Sequence, residues 1–200
     1  MLFRSRVLEL LAGQMDELTI GAPAQLSTDV GPVIDDEALR GLEDYAARIV
    51  VNAPWQHRAR LAETAAAGRY FAPLAVEVAS LAAVGREVFG PVLHVVRYPA
   101  GDLDGLIDAI NRLGYGLTLG IHTRIDSAAQ YIADRVAVGN VYVNRNMIGA
   151  VVGVQPFGGS GLSGTGPKAG GPHYLQRFVT EQTLTVNTAA LGGNTSLLSL

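Results

Sequence analysis

Cysteine is absent from this sequence of 200 residues. The absence excludes disulfide bonds, thiolate metal sites and a cysteine nucleophile encoded in the chain. The sequence also lacks an apolar run of roughly 20 residues, the length that a membrane-spanning helix needs. The opening residues, MLFRSR, are too few for a secretory signal with its apolar segment. We therefore expect a cytoplasmic protein.

The sequence also has no excess of positive charge. It contains 15 Lys and Arg residues and 18 Asp and Glu residues, which gives a net charge of -3. The charges are scattered, so the sequence has no basic stripe for nucleic acid. Hydrophobic residues make up 48% of the chain, which is enough to bury the core of one domain. The histidines His57, His94, His122 and His173 lack the spacing of metal ligands. The sequence thus favours a small molecule or another protein as partner and predicts no metal site.

Two amphipathic patterns predict helices in the first quarter of the chain. Apolar residues recur at helical spacing over 7–18, so the chain enters a helix almost at once, as a truncated chain would. A second helix is predicted over 39–49, after the acidic residues at 35–37, whose charges favour a helix N-terminus. We expect both helices to pack on a sheet. The Ala-rich stretch 59–67 is a weaker helix candidate.

The middle of the chain alternates between strand and helix patterns. Runs rich in β-branched residues at 92–98, 117–123 and 140–144 are separated by helical patterns at 103–110 and 129–136. This βαβαβ order predicts an α/β fold with a parallel sheet and crossover helices.

Two further segments predict strands. YFAPLAVEVASL, at 70–81, partly alternates and suggests a strand or an edge ribbon. FVTEQTLTVN, at 178–187, alternates like a half-exposed strand.

Glycine is concentrated in one loop. Nine of the 24 glycines lie within 149–171, and Gly159, Gly161 and Gly164 form a G-x-G-x-x-G match. A dinucleotide site would need a helix after this motif, and the glycines and prolines at 166–172 interrupt any such helix. A flexible linker is a second interpretation, although interspersed Pro, Phe and Leu residues give the loop more structure than a tether has. A third is that its backbone N–H groups meet an anion or oxyanion.

Three motifs resemble the aldehyde dehydrogenase superfamily in their order and spacing. They are EVFGPV at 87–92, GNVYVNRN at 139–146 and QPFGGSGLSGTGPKAGGPHYLQRF at 155–178. Within that superfamily the chain resembles the C-terminal part of the L-glutamate γ-semialdehyde dehydrogenases, also called 1-pyrroline-5-carboxylate dehydrogenases. Its ending, TLTVNTAALGGNTSLLSL at 183–200, resembles the C-terminus of the bacterial bifunctional proline utilisation A proteins.

The resemblance implies a division of the chain into two parts. Residues 1–178 would be a partial aldehyde dehydrogenase catalytic domain, and 179–200 would be an oligomerisation strand of a β-ribbon with a C-terminal tail. The family's nucleophilic cysteine, general-base glutamate and NAD-binding Rossmann domain would belong to a preceding part of a longer enzyme. We therefore expect no catalytic residue in this chain and no activity from the chain alone. The intact enzyme would use NAD and form a homo-oligomer, and FAD would be confined to the proline dehydrogenase part of a bifunctional parent.

The same resemblance assigns ligand contacts to five residues. Glu87 would bind the ribose hydroxyls next to the nicotinamide of NAD, because a carboxylate accepts two charge-assisted hydrogen bonds. Phe89 would pack near the nicotinamide. Gly170 and Gly171 would bind the substrate carboxylate through their backbone N–H groups, and Phe178 would lie beside the aliphatic chain of the semialdehyde.

Plainer interpretations stay open for several of these residues. Glu87 could be a solvated acid and Phe178 an ordinary core aromatic. The hydroxyls of Ser160, Ser163 and Thr165 are expected to stabilise turns within the loop.

The function predicted on this basis is a part of an NAD-dependent dehydrogenase that oxidises L-glutamate γ-semialdehyde to glutamate in proline catabolism. The alternative is a non-catalytic binding or assembly module that keeps the same fold. The absence of cysteine would favour this alternative if the 200 residues were the natural full length, whereas the retained Glu87, Phe89, Gly170, Gly171 and Phe178 favour the enzyme.

Overall fold

The computed structural model describes residues 2–61, 68–151 and 153–187, which fall into two compact units, Met1–Leu113 and Gly114–Leu200. The first unit contains α1 (Leu2–Asp16), α2 (Asp36–Ile49), β1 (Gln56–Arg58), β2 (Leu74–Val78), β3 (Val92–Val96) and α3 (Leu103–Arg112), with a 3-10 turn at Leu81–Ala83. The second contains β4 (Tyr115–Gly116), β5 (Thr118–Ile121), α4 (Asp126–Ala133), β6 (Asn140–Val143) and β7 (Ser160–Gly161), with a 3-10 turn at Tyr174–Phe178. Among the described residues, no helix combines the length and the apolar character that crossing a membrane requires.

β2 is the central strand of the three-stranded sheet in the first unit. β1 pairs with it in antiparallel fashion, with Gln56 opposite Val76, and β3 pairs with it in parallel, with Leu74 opposite Val92. Every residue of β2 is buried. A strand covered on both faces does not need a polar side, which explains why its sequence alternates only in part. The strand predicted within 70–81 is therefore confirmed, but its suggested edge position is wrong.

α2 begins at a side-chain cap and packs on the sheet through one apolar stripe. The carboxylate of Asp35 accepts a hydrogen bond from the Ala38 N–H at 2.8 Å, and Asp36 and Glu37 lie in the first turn. Leu42, on the opposite side of the helix from solvent, is buried. The core of the first unit contains two residues of α2, one residue that precedes β2 and three residues of β2, namely Leu42, Ala46, Phe71, Leu74, Val76 and Val78.

A buried carboxylate lies on the opposite face of β2 from Leu74, Val76 and Val78. Glu77 of β2 forms an ion pair with Arg97, which follows β3, and the Glu77 side chain is only 7% exposed. Removing a carboxylate from water is costly unless it is paired, so the guanidinium compensates for its burial. The pair also joins β2 to the end of its parallel neighbour.

In the second unit, α4 crosses over between the parallel strands β5 and β6. Thr118 lies opposite Asn140, and Ile121 lies opposite Val143. This βαβ unit confirms the strands and the helix predicted for this stretch. β4 pairs with β7 in antiparallel fashion, which places Tyr115 opposite a residue of the glycine-rich loop.

The predicted α/β class is confirmed, but the strands within 92–144 do not form the one sheet that their alternation predicts. β3 is hydrogen-bonded to β2, and β5 is hydrogen-bonded to β6, so the parallel pairs belong to two sheets. Local patterns specify strands and helices, whereas strand pairing depends on contacts between distant segments.

The strand predicted over 178–187 is not formed in the structure. Tyr174–Phe178 is a 3-10 turn, and no strand occurs over 179–187. An alternating segment becomes a strand only when a neighbour supplies its hydrogen bonds. Residues 188–200 lie outside the described residues. So do residues 62–67 of the weak helix predicted over 59–67, whose remaining residues are not helical.

We expect Gly90→Ala to destabilise the first unit. A Cβ at Gly90 would lie 2.5 Å from Cδ2 and 2.7 Å from Cδ1 of Leu42, whose side chain is buried. Overpacking of this kind costs about 1–3 kcal/mol of the free energy of unfolding, measurable by urea denaturation. The control is Gly101→Ala, because a Cβ there meets no atom within 4 Å. Equal urea midpoints for the two variants would contradict the expectation.

Candidate functional site

Glu87 and Phe89 lie on an exposed segment between the 3-10 turn Leu81–Ala83 and β3. Phe89 is 87% exposed, and Glu87 is exposed beside it. The segment borders a surface pocket of about 210 Å³, lined by Ala38, Gly41, Leu42, Tyr45, Arg86, Glu87, Val88 and Phe89. An aromatic ring and a carboxylate at the mouth of one pocket can contact a ligand that has both a flat apolar part and hydroxyl groups.

The backbone behind these side chains is fixed by two contacts. Gly90 lies directly against Leu42 of α2, and the N–H of Leu74 donates to the carbonyl of Pro91 at 3.0 Å. The EVFGPV motif thus combines an exposed half, which carries Glu87 and Phe89, with a half that is anchored on α2 and β2.

Tyr45 and His94 form a hydrogen-bonded pair between α2 and β3. The Tyr45 hydroxyl lies 2.8 Å from Nε2 of His94, and the two rings meet edge to face. Burial lowers the pKa of His94, and burial raises the pKa of Tyr45 against the opposing charge of Arg48. Both shifts favour the neutral forms, so an uncharged pair lies beside the pocket. His94 is therefore a satisfied, half-buried residue.

The glycine-rich loop is held by Asn140 at the start of β6. The Asn140 amide donates to the carbonyl of Pro156 at 3.0 Å, and its oxygen accepts from the Gly158 N–H at 3.3 Å. Asn140 is one of the buried polar residues of the chain. Its amide therefore satisfies two backbone groups of the loop in a place with little access to water.

Further contacts hold the loop on both sides. Lys168 Nζ donates to the carbonyl of Gly139, and Phe157 exchanges two backbone hydrogen bonds with Ala169 at 3.0 and 2.9 Å. A Cβ at Gly139 would lie 1.8 Å from the carbonyl oxygen of Gly158, so only glycine permits this approach of the two backbones. The loop is therefore a packed segment and not a flexible linker. Residues 157–173 contain no α-helix, so the helix required by a dinucleotide motif is missing.

The expectation that the hydroxyls of Ser160, Ser163 and Thr165 stabilise turns within the loop is wrong, because their partners lie in other segments, and the Thr165 hydroxyl accepts from Arg177. Ser160 donates to the carbonyl of Ala137 at 2.8 Å, and the Ser163 oxygen accepts from the Gly116 N–H at 3.1 Å. These bonds tie the loop to β4 and to the segment before β6.

Gly170 and Gly171 differ in what their N–H groups do. The Gly171 N–H donates to the carbonyl of Lys168 at 3.0 Å, closing a turn. Gly170 has a φ of +70°, and a Cβ there would meet no atom within 4 Å. Within the described part of the chain the Gly170 N–H has no hydrogen-bond acceptor. Gly170 is thus the member of the pair with an open donor, and its backbone conformation favours glycine.

Phe178 closes the 3-10 turn that follows the loop. Its ring is 70% exposed and meets Tyr174 edge to face at 5.5 Å between centroids. The interpretation of Phe178 as a core aromatic is therefore wrong. The neighbouring Arg177 contacts the backbone of Thr165 and Gly166.

Sequence reasoning missed three residues that hold the loop, Asn140, Lys168 and Arg177. All three lie inside the quoted motifs, but each acts on a partner 11 or more positions away. The amino-acid types of these three residues do not indicate which distant carbonyl groups they bind.

Residues 3–184 match the sequence model of the aldehyde dehydrogenase family. The chain belongs to this family. It is 50% identical over 181 residues to the bifunctional protein PutA of Escherichia coli K12, covering 88% of this chain and 14% of that protein. It is 35% identical over 179 residues to the 1-pyrroline-5-carboxylate dehydrogenase of Geobacillus kaustophilus, covering 86% of this chain and 32% of that one.

Solved structures of aldehyde dehydrogenase relatives agree with the fold. A mutant of proline utilization A (PutA) from Bradyrhizobium japonicum superposes with a TM-score of 0.85 at 56% identity, over 94% of this chain and 19% of that chain. A Thermus 1-pyrroline-5-carboxylate dehydrogenase with bound NAD gives a TM-score of 0.73 at 36% identity, over 86% of this chain and 33% of that chain. This aldehyde dehydrogenase chain thus spans only a small part of its PutA relatives.

We expect Asn140→Ala to loosen the glycine-rich loop. The substitution leaves the Pro156 carbonyl and the Gly158 N–H without their partner, which costs about 1–3 kcal/mol. Hydrogen exchange of the amides in 156–171 should therefore accelerate. Asn146→Ala serves as the control, because that side chain is exposed near the same strand. Unchanged exchange in Asn140→Ala would refute the proposed anchoring.

Proposed function

We propose that this chain is part of an NAD-dependent dehydrogenase that oxidises L-glutamate γ-semialdehyde to glutamate in proline catabolism. The observation that carries the proposal is the 50% identity to PutA over nearly the whole chain, together with lesser identity to 1-pyrroline-5-carboxylate dehydrogenases. The Thermus relative with bound NAD supports this cofactor. NAD would accept the hydride that leaves the substrate carbon.

Glu87 and Phe89 would bind the nicotinamide half of the cofactor. Their fit to that group rests on their exposure and on the pocket that they share. The Glu87 carboxylate would accept hydrogen bonds from the ribose hydroxyls, and the Phe89 ring would cover the flat nicotinamide. Anchoring of Gly90 and Pro91 behind them would keep the two side chains in place.

Gly170, Gly171 and Phe178 would bind the substrate. The open Gly170 N–H suits a carboxylate acceptor, because a hydrogen bond to a charged group is stronger than one between neutral groups. The Gly171 N–H, engaged by Lys168, would contribute after a small rotation of the turn. The exposed ring of Phe178 would contact the aliphatic carbons.

The remaining parts of the proposed enzyme would come from outside these 200 residues. Because the sequence has no cysteine, the nucleophile expected from the family must be supplied by another segment. We propose that the enzyme is a homo-oligomer in which 179–200 takes part, and that it is cytoplasmic. FAD would bind only in a proline dehydrogenase part of a bifunctional parent. A non-catalytic module is the second candidate, which the lack of cysteine would favour if these 200 residues were the natural full length.

We expect no NAD-dependent oxidation of glutamate semialdehyde by the 200-residue chain alone, since it has no thiolate to attack the aldehyde. The measurement is NADH absorbance at high protein concentration. The active control is a 1-pyrroline-5-carboxylate dehydrogenase assayed in parallel. NADH formation above the buffer rate would show that another residue provides the nucleophile.

In the longer enzyme that contains this segment, we expect Gly170→Ala to lower kcat/KM for glutamate semialdehyde about tenfold, the scale of one lost hydrogen bond to a charged group. The reason is that a side chain at a φ of +70° is strained and turns the peptide away. An aldehyde without a carboxylate should be affected much less. Gly149→Ala is the matched control, since its φ is +61° and its Cβ also meets no atom. Equal losses for both aldehydes would remove the carboxylate assignment.

A further inference from the structure

Arg177 makes a concentrated set of contacts with the glycine-rich loop. Its Nη2 lies 3.1 Å from the carbonyl oxygen of Thr165 and 2.7 Å from the hydroxyl oxygen of the same residue, and it also donates to the carbonyl of Gly166. These acceptors precede Arg177 by 11 and 12 residues. The guanidinium therefore closes a ring of chain that starts at Thr165 and ends at the 3-10 turn.

The ring contains the proposed substrate contacts. Gly170 and Gly171 lie within it, and Phe178 follows its last residue. Three backbone hydrogen bonds close turns within the segment, from the Gly171 N–H to Lys168 at 3.0 Å, from the Tyr174 N–H to Gly171 at 3.1 Å and from the Gln176 N–H to His173 at 3.2 Å, and Ala169 also pairs with Phe157 outside it. Local turns of this kind leave the two ends of the segment free to separate. The contacts of Arg177 hold those ends together.

The chemistry of the contacts points to positioning and not to overall stability. Arg177 is exposed, and within the described part of the chain it forms no ion pair. Exposed polar contacts add little to the free energy of unfolding. These contacts nevertheless restrict the backbone there, because three oxygens of two consecutive residues converge on one nitrogen, Nη2 of Arg177.

We propose that Arg177 is a positioning residue that holds 165–171 in the conformation in which the Gly170 N–H faces the substrate carboxylate. Arg177 itself would touch no reacting atom and would act only through the loop. The inference rests on the proposed function for the direction of its catalytic effect. The ordering of the loop by Arg177 stands on the hydrogen bonds alone.

The first experiment measures that ordering in the 200-residue chain. Amide hydrogen exchange over 165–171 is compared among the wild type, Arg177→Ala, Arg177→Lys and the control Gln176→Ala, whose side chain is exposed in the same 3-10 turn. We expect about tenfold faster exchange in Arg177→Ala, a smaller increase in Arg177→Lys and none in the control. Equal exchange in the wild type and in both Arg177 variants would overturn the proposal. Thermal unfolding shows whether each variant is folded. If Arg177→Ala does not fold, the exchange rate of Arg177→Lys tests the proposal.

The second experiment separates binding from chemistry in the longer enzyme. Arg177→Ala should raise the KM for glutamate semialdehyde about tenfold, leave kcat within about twofold, and leave the KM for a simple aldehyde and for NAD unchanged. Arg177→Lys should restore part of the KM. A selective loss in Gly170→Ala without one in Arg177→Ala would overturn the role of Arg177 and keep the proposed function. A third outcome is that amide exchange is faster in Arg177→Ala but neither variant affects glutamate semialdehyde more than a simple aldehyde. This outcome would overturn the carboxylate site and the catalytic part of this inference.

Discussion

The burial of β2 is the constraint on which the first unit depends. All of its residues are buried, and β1, β3 and α2 each contact it. The N–H of its first residue, Leu74, binds the carbonyl of Pro91, where β3 begins. The segment that carries Glu87 and Phe89 must therefore end at a fixed point beside α2. Two exposed side chains owe their position to a strand that no ligand could reach.

The second unit uses a different constraint, the close approach of backbones. Gly139 touches Gly158, and Asn140 next to it binds the loop with both ends of its amide. Glycine permits the approach and the amide then satisfies the peptide groups that the approach has shielded from water. Neither residue alone would suffice, since a side chain at 139 would separate the segments and an apolar residue at 140 would leave them unpaired. Close packing accounts for several glycines of the loop itself, because a Cβ at Gly159, Gly161 or Gly164 would lie less than 3.0 Å from a backbone atom.

A structural feature can be predicted from the sequence when the residues that specify it are close together in the chain. α2 was predictable because its cap, its acidic first turn and its apolar stripe all lie within 35–49. The βαβ unit of β5, α4 and β6 was predictable for the same reason. The segment 178–187 shows the limit, because alternation is local but a strand needs a partner. The roles of Asn140, Lys168 and Arg177 were invisible for a similar reason, since their acceptors are distant in sequence. A motif led to the proposal of Glu87 and Phe89 as ligand contacts, and only the structure shows the anchored Gly90 that the motif also contains.

Among the described residues, the side-chain hydrogen bonds that hold the loop with the proposed carboxylate site come from its own unit. Arg177, Lys168 and Asn140 bind backbone groups of residues 139–166, and no residue before Gly114 takes part in these bonds. A loop ordered by its own neighbours would not need the nucleophile or the cofactor-binding domain of the proposed enzyme to adopt its shape. Substrate discrimination would then be encoded separately from bond-making chemistry, which suits a reaction whose hydride acceptor is a bound cofactor. In the proposed enzyme, substitutions within 155–178 would then change the preferred aldehyde while leaving the segments that carry out the chemistry as they are.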